Sequence, residues 1–311
     1  MKEQSQLFGQ YQSLVGIITE PEVPNGSAIL LLNAGLIHRV GPNRIYVKLA
    51  RQLAKEGFLV LRFDLSGIGD SKVRPDNLPF QKSNLDDIKQ AMDYLQQTHG
   101  INQFLLAGHC GGAVNSFLAS LEDKRVIGIG LINIEGGDPK WSTYDNKRKL
   151  SRYYENYYGK TALTDASRWK KLLTGKAAYG SIARNIFQNI IWNRISNVMF
   201  GVKNRFEQKM NSQKDVAPDS PQAIFINGLQ ALTNRDVNVL LIYAEGSTGM
   251  ERTQFLVGKD LRAMKDAGKI RMELIRGADH TFTLVQTQKA LFNVIETWSK
   301  SVTAQHIKQP A

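Results

Sequence analysis

One Cys and five His occur in the 311 residues, and the Cys stands in a setting that suits a nucleophile. FLLAGHCGGAVNSFL, residues 104–118, reads as a strand, a glycine-bracketed turn and a helix, with Gly108, His109, Cys110, Gly111 and Gly112 in a G-x-nucleophile-x-G elbow. In such a turn the nucleophile takes a strained backbone conformation, and small residues at Gly108, Gly112 and Ala113 let strand and helix approach closely. The helix start beyond the turn favours developing negative charge. His280, in RGADHTF, lies late in the chain after an apolar run; its imidazole is placed to take the thiol proton and deliver it to a leaving group. LLNAGLIHRVG, residues 31–41, ends another apolar run in a small-residue turn, where the N–H of Leu36 could join that of Gly111 as an oxyanion hole. This combination points to acyl transfer through a thioester intermediate. FDLSGIGDS, residues 63–71, is a further Gly-rich turn expected to shape the sheet edge and the pocket rim; it lacks the Lys and the spacing of a phosphate loop.

These residues need a scaffold, and the hydrophobic pattern supplies one. Apolar runs at 28–33, 59–63, 103–107, 126–134, 237–243 and 270–275 alternate with helical stripes, the pattern of a mostly parallel sheet with helices on both faces. Tyr46, Leu49, Ala50 and Leu53 form one stripe; Leu85, Ile88, Met92 and Leu95 a second; Leu291, Val294, Ile295 and Trp298 a last one. The alternation breaks between residues 137 and 220, which read as an inserted helical cap ending in the polar hinge DVAPDSP. Residues 1–136 and 221–311 then form the α/β core. An insertion after the fourth of these runs would lie over the carboxyl edge of the sheet, where open α/β sheets bind ligands.

The formal charge of +12 is concentrated in that insertion: residues 140–214 hold 16 Lys and Arg against four acidic residues, so the rest of the chain is neutral. One reading is a solvated helical face. The other is attraction to an anionic handle, such as CoA, a phosphopantetheine arm, an acidic carrier protein or a membrane surface. Aromatics are interleaved with the basic residues, but no nucleic-acid-binding signature accompanies them, so nucleic acid is not an expected partner. The composition, 42% hydrophobic and 22% charged, excludes fibrous and disordered classes. A lone Cys makes no internal disulfide, no His/Cys cluster has zinc spacing, and no apolar run reaches about 18 residues. The expectation is a soluble, cytoplasmic protein without metal, cofactor or transmembrane segment.

In combination these motifs resemble the α/β-hydrolase superfamily from about Ala28 to Trp298. Within it, RVGPNR followed by LARQLAKEGFLVLRFDLSGIGDS, with LSRYYENYYGK and WKKLLTGKA in the insertion, is similar to exosortase-system-associated hydrolases, relatives of serine-aminopeptidase-like esterases. The resemblance implies an α/β-hydrolase fold, Cys110 as nucleophile, His280 as base, and Gly111 with Leu36 as oxyanion donors. It also exposes a departure. The family commonly places an Asp shortly after the penultimate strand, and here VLLIYAEGSTG puts Ser247 at that position. Glu245, two residues earlier, is the first substitute for the acid; Glu135, with Asp138 beyond it in GLINIEGGD, is the second. A Cys–His dyad without an acid is the third, because a thiolate is accessible near neutral pH. The expected activity is ester or thioester hydrolysis. The alternatives are acyl transfer or cyclisation onto an amine or alcohol, and a non-catalytic binding protein on the same fold.

Overall fold

The computed structural model describes residues 1–76, 78–134 and 221–307. The expected cap, residues 137–220, lies outside the described residues. Eight strands run through the described part: β1 Lys2–Phe8, β2 Leu14–Glu20, β3 Ser27–Leu32, β4 Leu59–Phe63, β5 Gln103–His109, β6 Val126–Ile132, β7 Asn238–Ala244 and β8 Ile270–Ile275. They form one sheet in the order β1-β2-β4-β3-β5-β6-β7-β8. From β4 to β8 the pairs are parallel, whereas β1 pairs with β2, and β2 with β4, antiparallel. The six apolar runs of the sequence are the six parallel strands. The β1–β2 hairpin was not expected, for a physical reason: KEQSQLF is an edge strand with mostly polar, half-exposed side chains, so it carries no buried run.

Six helices flank the sheet among the described residues: α1 Ile45–Lys55, α2 Phe80–His99, α3 Gly111–Glu122, α4 Pro221–Asn234, α5 Gly249–Asp266 and α6 Val285–Ile307. Because successive strand residues point to opposite faces, the buried parallel strands feed two cores. Leu30, Leu32, Leu106 and Leu131 pack with Ile88, Met92 and Leu95 of α2 and Phe117 of α3. Ile29, Leu31, Leu105 and Ile242 pack on the other face with Tyr46, Leu49 and Leu53 of α1 and with Leu291, Ile295 and Trp298 of α6. Each such side chain contributes about 1.5–3 kcal/mol relative to exposure, which is why the helical stripes lie flat on the sheet. Gly128 and Gly130 in β6 make room for one of them: a Cβ at Gly128 would sit 3.0 Å from Trp298 Cζ2. α4 begins at Pro221, where the sequence suggested only the end of a polar hinge, and a Cβ at its Gly228 would overlap the Phe117 ring. No described helix is long and apolar enough to cross a membrane.

Candidate active site

The site is built at the carboxyl ends of β3, β5, β6, β7 and β8. Cys110 follows β5 and precedes α3 with φ 54° and ψ −111°, a strained conformation for a residue with a side chain. Its glycines explain how the chain closes on itself there. A Cβ at Gly108 would overlap the Gly112 carbonyl, and a Cβ at Gly112 would lie 2.5 Å from the carbonyl oxygen of Leu32. The Cys110 N–H donates to the Ile132 carbonyl at 2.9 Å, and the Cys110 carbonyl accepts from Ala113 N at 3.0 Å. Tyr46 braces the turn from below. Its buried hydroxyl donates to the Leu32 carbonyl at 2.8 Å and accepts from His109 N at 2.9 Å. Burial pushes the Tyr46 phenol well up, so its hydroxyl keeps its proton near pH 7. Cys110 itself is half-buried.

His280 lies in the turn after β8, and the residue before Cys110 holds that turn in place. His109 is buried, its ring is edge-on to the His280 ring with centroids 4.6 Å apart, and its Nε2 lies 2.6 Å from the His280 carbonyl oxygen. A carbonyl oxygen only accepts, so Nε2 carries the proton. Asn133, just past β6, makes the second bond to the same oxygen, from Nδ2 at 2.8 Å, while its Oδ1 accepts from Ala244 N at 2.7 Å. Burial above all, and then the neighbouring His280, push His109 down to about 4, and it is neutral near pH 7.

Among the described residues, Ser247 Oγ lies 3.1 Å from His280 Nδ1. Glu245 does not take the place expected of it. Its carboxylate accepts from the Gly277 N–H at 2.7 Å, on the exposed side of the turn, which leaves the shorter, buried Ser247 facing the imidazole. Glu135 and Asp138 lie outside the described residues. The turn after β3, which carries Leu36, lies against the first residue of α3: a Cβ at Gly111 would sit 3.3 Å from Gly35 N. Among the described residues no backbone carbonyl accepts from Leu36 N, and the turn closes instead through Ile37 N to Ala34 O at 3.2 Å.

The turn after β3 is held by polar groups to which the sequence reading assigned no part. Asn33, buried at the end of β3, accepts from Leu65 N at 2.9 Å and donates to the Ile37 carbonyl at 3.0 Å. Asp64, buried after β4, accepts from Arg39 N at 2.6 Å and from Asp70 N at 3.2 Å and pairs with the Arg39 guanidinium, which also reaches Asp70 at 2.6 Å. A Cβ at Gly69 would overlap the Asp64 carboxylate, so Gly69 keeps this cradle open. The one available sequence signal for Asn33 and Asn133 was a polar residue directly ending a fully buried run, LLLN and GLIN. Among the described residues no group of His, Cys, Asp and Glu could hold a metal ion.

Comparison with known proteins agrees with this architecture. A family model described as alpha/beta hydrolase fold matches residues 28–247. Among solved structures, a proline iminopeptidase from Mycobacterium smegmatis is similar with a TM-score of 0.57 and 14% identity over 98% of this chain and all of that one. An alpha-beta serine hydrolase homologue from Coxiella burnetii gives 0.53 and 14% identity over 95% of this chain and 98% of that one. A thermophilic esterase from Thermogutta terrifontis gives 0.52 and 14% identity over 97% of this chain and all of that one. At this identity the likeness is one of fold. The uncharacterized Escherichia coli protein YcjY is 29% identical over 86 residues, and the chain spans only 28% of its length.

Proposed function

Because the chain belongs to the alpha/beta hydrolase fold family, we propose that it is an acyl-transfer enzyme of the esterase or thioesterase kind, with Cys110 as nucleophile and His280 as base. The observation that carries this reading is the coupling of the two loops. The Cys110 elbow has the strained geometry of a nucleophile, and the residue before it is hydrogen-bonded to the backbone of His280, so base and nucleophile are held as one unit. In the reaction, the thiol proton passes to the His280 imidazole as Sγ bonds to the acyl carbon. The carbonyl electron pair moves onto oxygen beside the N–H groups of Gly111 and Leu36. Collapse expels the leaving group, which takes the proton from the imidazolium. Water, activated by the same imidazole, then cleaves the thioester and releases the acid.

The substrate class follows from a Cys nucleophile and from charge. A thiolate attacks esters and thioesters readily, and a thioester enzyme intermediate can also be captured by an amine or alcohol, so acyl transfer or cyclisation shares the first step. The basic residues of segment 140–214, Lys147, Arg148, Lys170 and Lys171 among them, suit a substrate whose acyl group rides on CoA or an acidic carrier protein. The motifs that resemble exosortase-system-associated hydrolases are in keeping with this class, although LSRYYENYYGK and WKKLLTGKA lie outside the described residues.

Intact-mass spectrometry after brief incubation with acyl-CoA, acyl-N-acetylcysteamine and p-nitrophenyl esters tests the proposal. The expected result is a single acyl adduct on Cys110, absent in Cys110→Ala and long-lived or slow to form in His280→Ala. Absence of adduct and turnover across the panel, with Cys110 alkylating no faster than a free thiol, would overturn it in favour of a binding protein. The charge argument has its own check: neutralising the four named basic residues together should weaken turnover of CoA substrates and flatten its salt dependence, and unchanged salt dependence rules that part out.

A further inference from the structure

We infer that the cleft between the turn after β3 and the β2–β4 strand pair is a binding site for a small carboxylate on an apolar body, recognised by the Arg62 guanidinium. Nothing in it depends on the reaction proposed above. The cavity measures about 500 Å3, within the range of small-molecule sites, and its walls are Ile17 of β2, Arg62 of β4, and Leu36, Arg39 and Val40 of the turn. His38, Gly69 and Asp70 complete the lining.

Arg62 is a charge in a strand whose five residues are all buried, paired across the sheet with Ile17 and itself 7% exposed. Val60, two residues before it, packs in the core against α1, so Arg62 projects from the same face. A guanidinium taken out of water needs partners for its donors. Among the described residues its one hydrogen bond runs from Nη2 to Glu3 Oε1 at 3.2 Å, and its buried Nε has no partner. Nor does Glu3 need Arg62 to stay in place. Arg51 of α1 already donates to Glu3 Oε2 from Nε at 3.0 Å and from Nη2 at 2.6 Å. One carboxylate therefore serves two guanidinium groups, and a positive charge is left over beside the cavity. Burial above all pushes Arg62 down; Glu3 opposes this, while Arg39 and Arg51 add to it.

The neighbouring carboxylates are spent elsewhere. Asp70 pairs with Arg39 at 2.6 Å, and Asp64 holds the same guanidinium while accepting from Arg39 N, Asp70 N and Asn33 Nδ2. The cavity thus offers one under-paired arginine and the apolar side chains of Ile17, Leu36 and Val40. A planar carboxylate matches the donor fork of a guanidinium and restores the charge balance, and the apolar walls favour a short hydrocarbon body behind it. A neutral amide of the same shape lacks the charge. Inorganic phosphate lacks the body and brings a second negative charge beside Asp70.

Isothermal titration calorimetry of the full chain with acetate, butyrate and benzoate, set against benzamide and inorganic phosphate, tests the site. Butyrate and benzoate are expected to bind wild type and Cys110→Ala alike and more tightly than acetate, with benzamide weaker than benzoate by about tenfold or more. Arg62→Gln should weaken benzoate by about tenfold or more, and Arg62→Lys should fall between, because it keeps the charge and loses the fork. Ile17→Trp fills the cavity without removing any ion pair and should abolish binding. Glu3 keeps both bonds to Arg51 in Arg62→Gln, so that variant is expected to fold; if circular dichroism shows that it does not, Arg62→Lys and Ile17→Trp decide. Carboxylates that bind no more tightly than benzamide, or benzoate binding unaltered in the folded Arg62 and Ile17 variants, overturn the site. Phosphate binding more tightly than benzoate overturns the carboxylate assignment, and benzoate binding lost in Cys110→Ala moves the ligand to the elbow and overturns the role of Arg62. The readout is binding alone, so a wild type inert toward acyl esters defeats the proposed function and leaves these expectations as they stand.

Discussion

The Nε2–H of His109 donates to the carbonyl oxygen of His280 across 2.6 Å, tying the turn at Cys110 to the turn after β8. The bond crosses 171 residues of sequence, and it forms because β5 and β8 end at the same edge of the sheet. Asn133 reinforces it from β6.

The burial of His109 makes acid stability a readout of the site. Folding lowers His109 from its ordinary 6.5 to about 4, so between those values the unfolded chain binds the extra proton and the folded chain does not. The stabilisation is therefore fully present above pH 6.5 and is lost as pH falls toward 4, by up to about 3 kcal/mol. In urea melts the His109→Asn variant should show a shallower fall over that window than the wild type; an identical pH slope would place the titration elsewhere.

Tyr46→Phe removes a hydroxyl that serves the Leu32 carbonyl and the His109 N–H at once. Both become buried and unpaired, at a cost of about 1–3 kcal/mol in unfolding free energy. The elbow also loses its brace, so kcat should fall more than KM changes. Equilibrium unfolding and steady-state kinetics on the same preparation check both parts.

Asp64 is buried with the Arg39 guanidinium, the Arg39 and Asp70 amides and the Asn33 amide around it. Replacing it by Ala removes one of the two ion-pair partners of the half-buried Arg39 guanidinium and the acceptor of two backbone amides, which destabilises by about 1–3 kcal/mol. Because the same contacts pin the turn carrying Leu36, the acyl-enzyme should form more slowly even where the fold survives. Denaturant midpoints and the rate of Cys110 acylation measure the two effects separately.

Gly128 and Trp298 are coupled through space. Gly128→Ala would press its Cβ to 3.0 Å of the indole, an overpacking cost of about 1–3 kcal/mol, whereas Trp298→Ala opens a cavity worth about 3–5 kcal/mol. The pair should be non-additive: on a Trp298→Phe background, the penalty of Gly128→Ala should shrink. A double-mutant cycle that adds linearly would show that the close approach is not what the glycine serves.

The six parallel strands, the helical stripes on α1, α2 and α6, and the elbow around Cys110 were legible in the amino-acid sequence. Each is written in local pattern: a buried run, a period of 3.6, a Cys between glycines. The β1–β2 hairpin was not legible, because an edge strand with one polar, exposed side carries no such run. The contact between Ser247 and His280 belongs to the tertiary structure alone. Glu245 and Ser247 stand two residues apart and share one strand end, and charge and length favoured Glu245; only the bonding of that turn to residues 275–278 spends the carboxylate on Gly277 and turns Ser247 to the ring. Asn133 and Tyr46 are of the same kind. Their roles depend on backbone groups that folding brings together from distant segments, and no local sequence pattern encodes which carbonyl a buried amide or hydroxyl will meet.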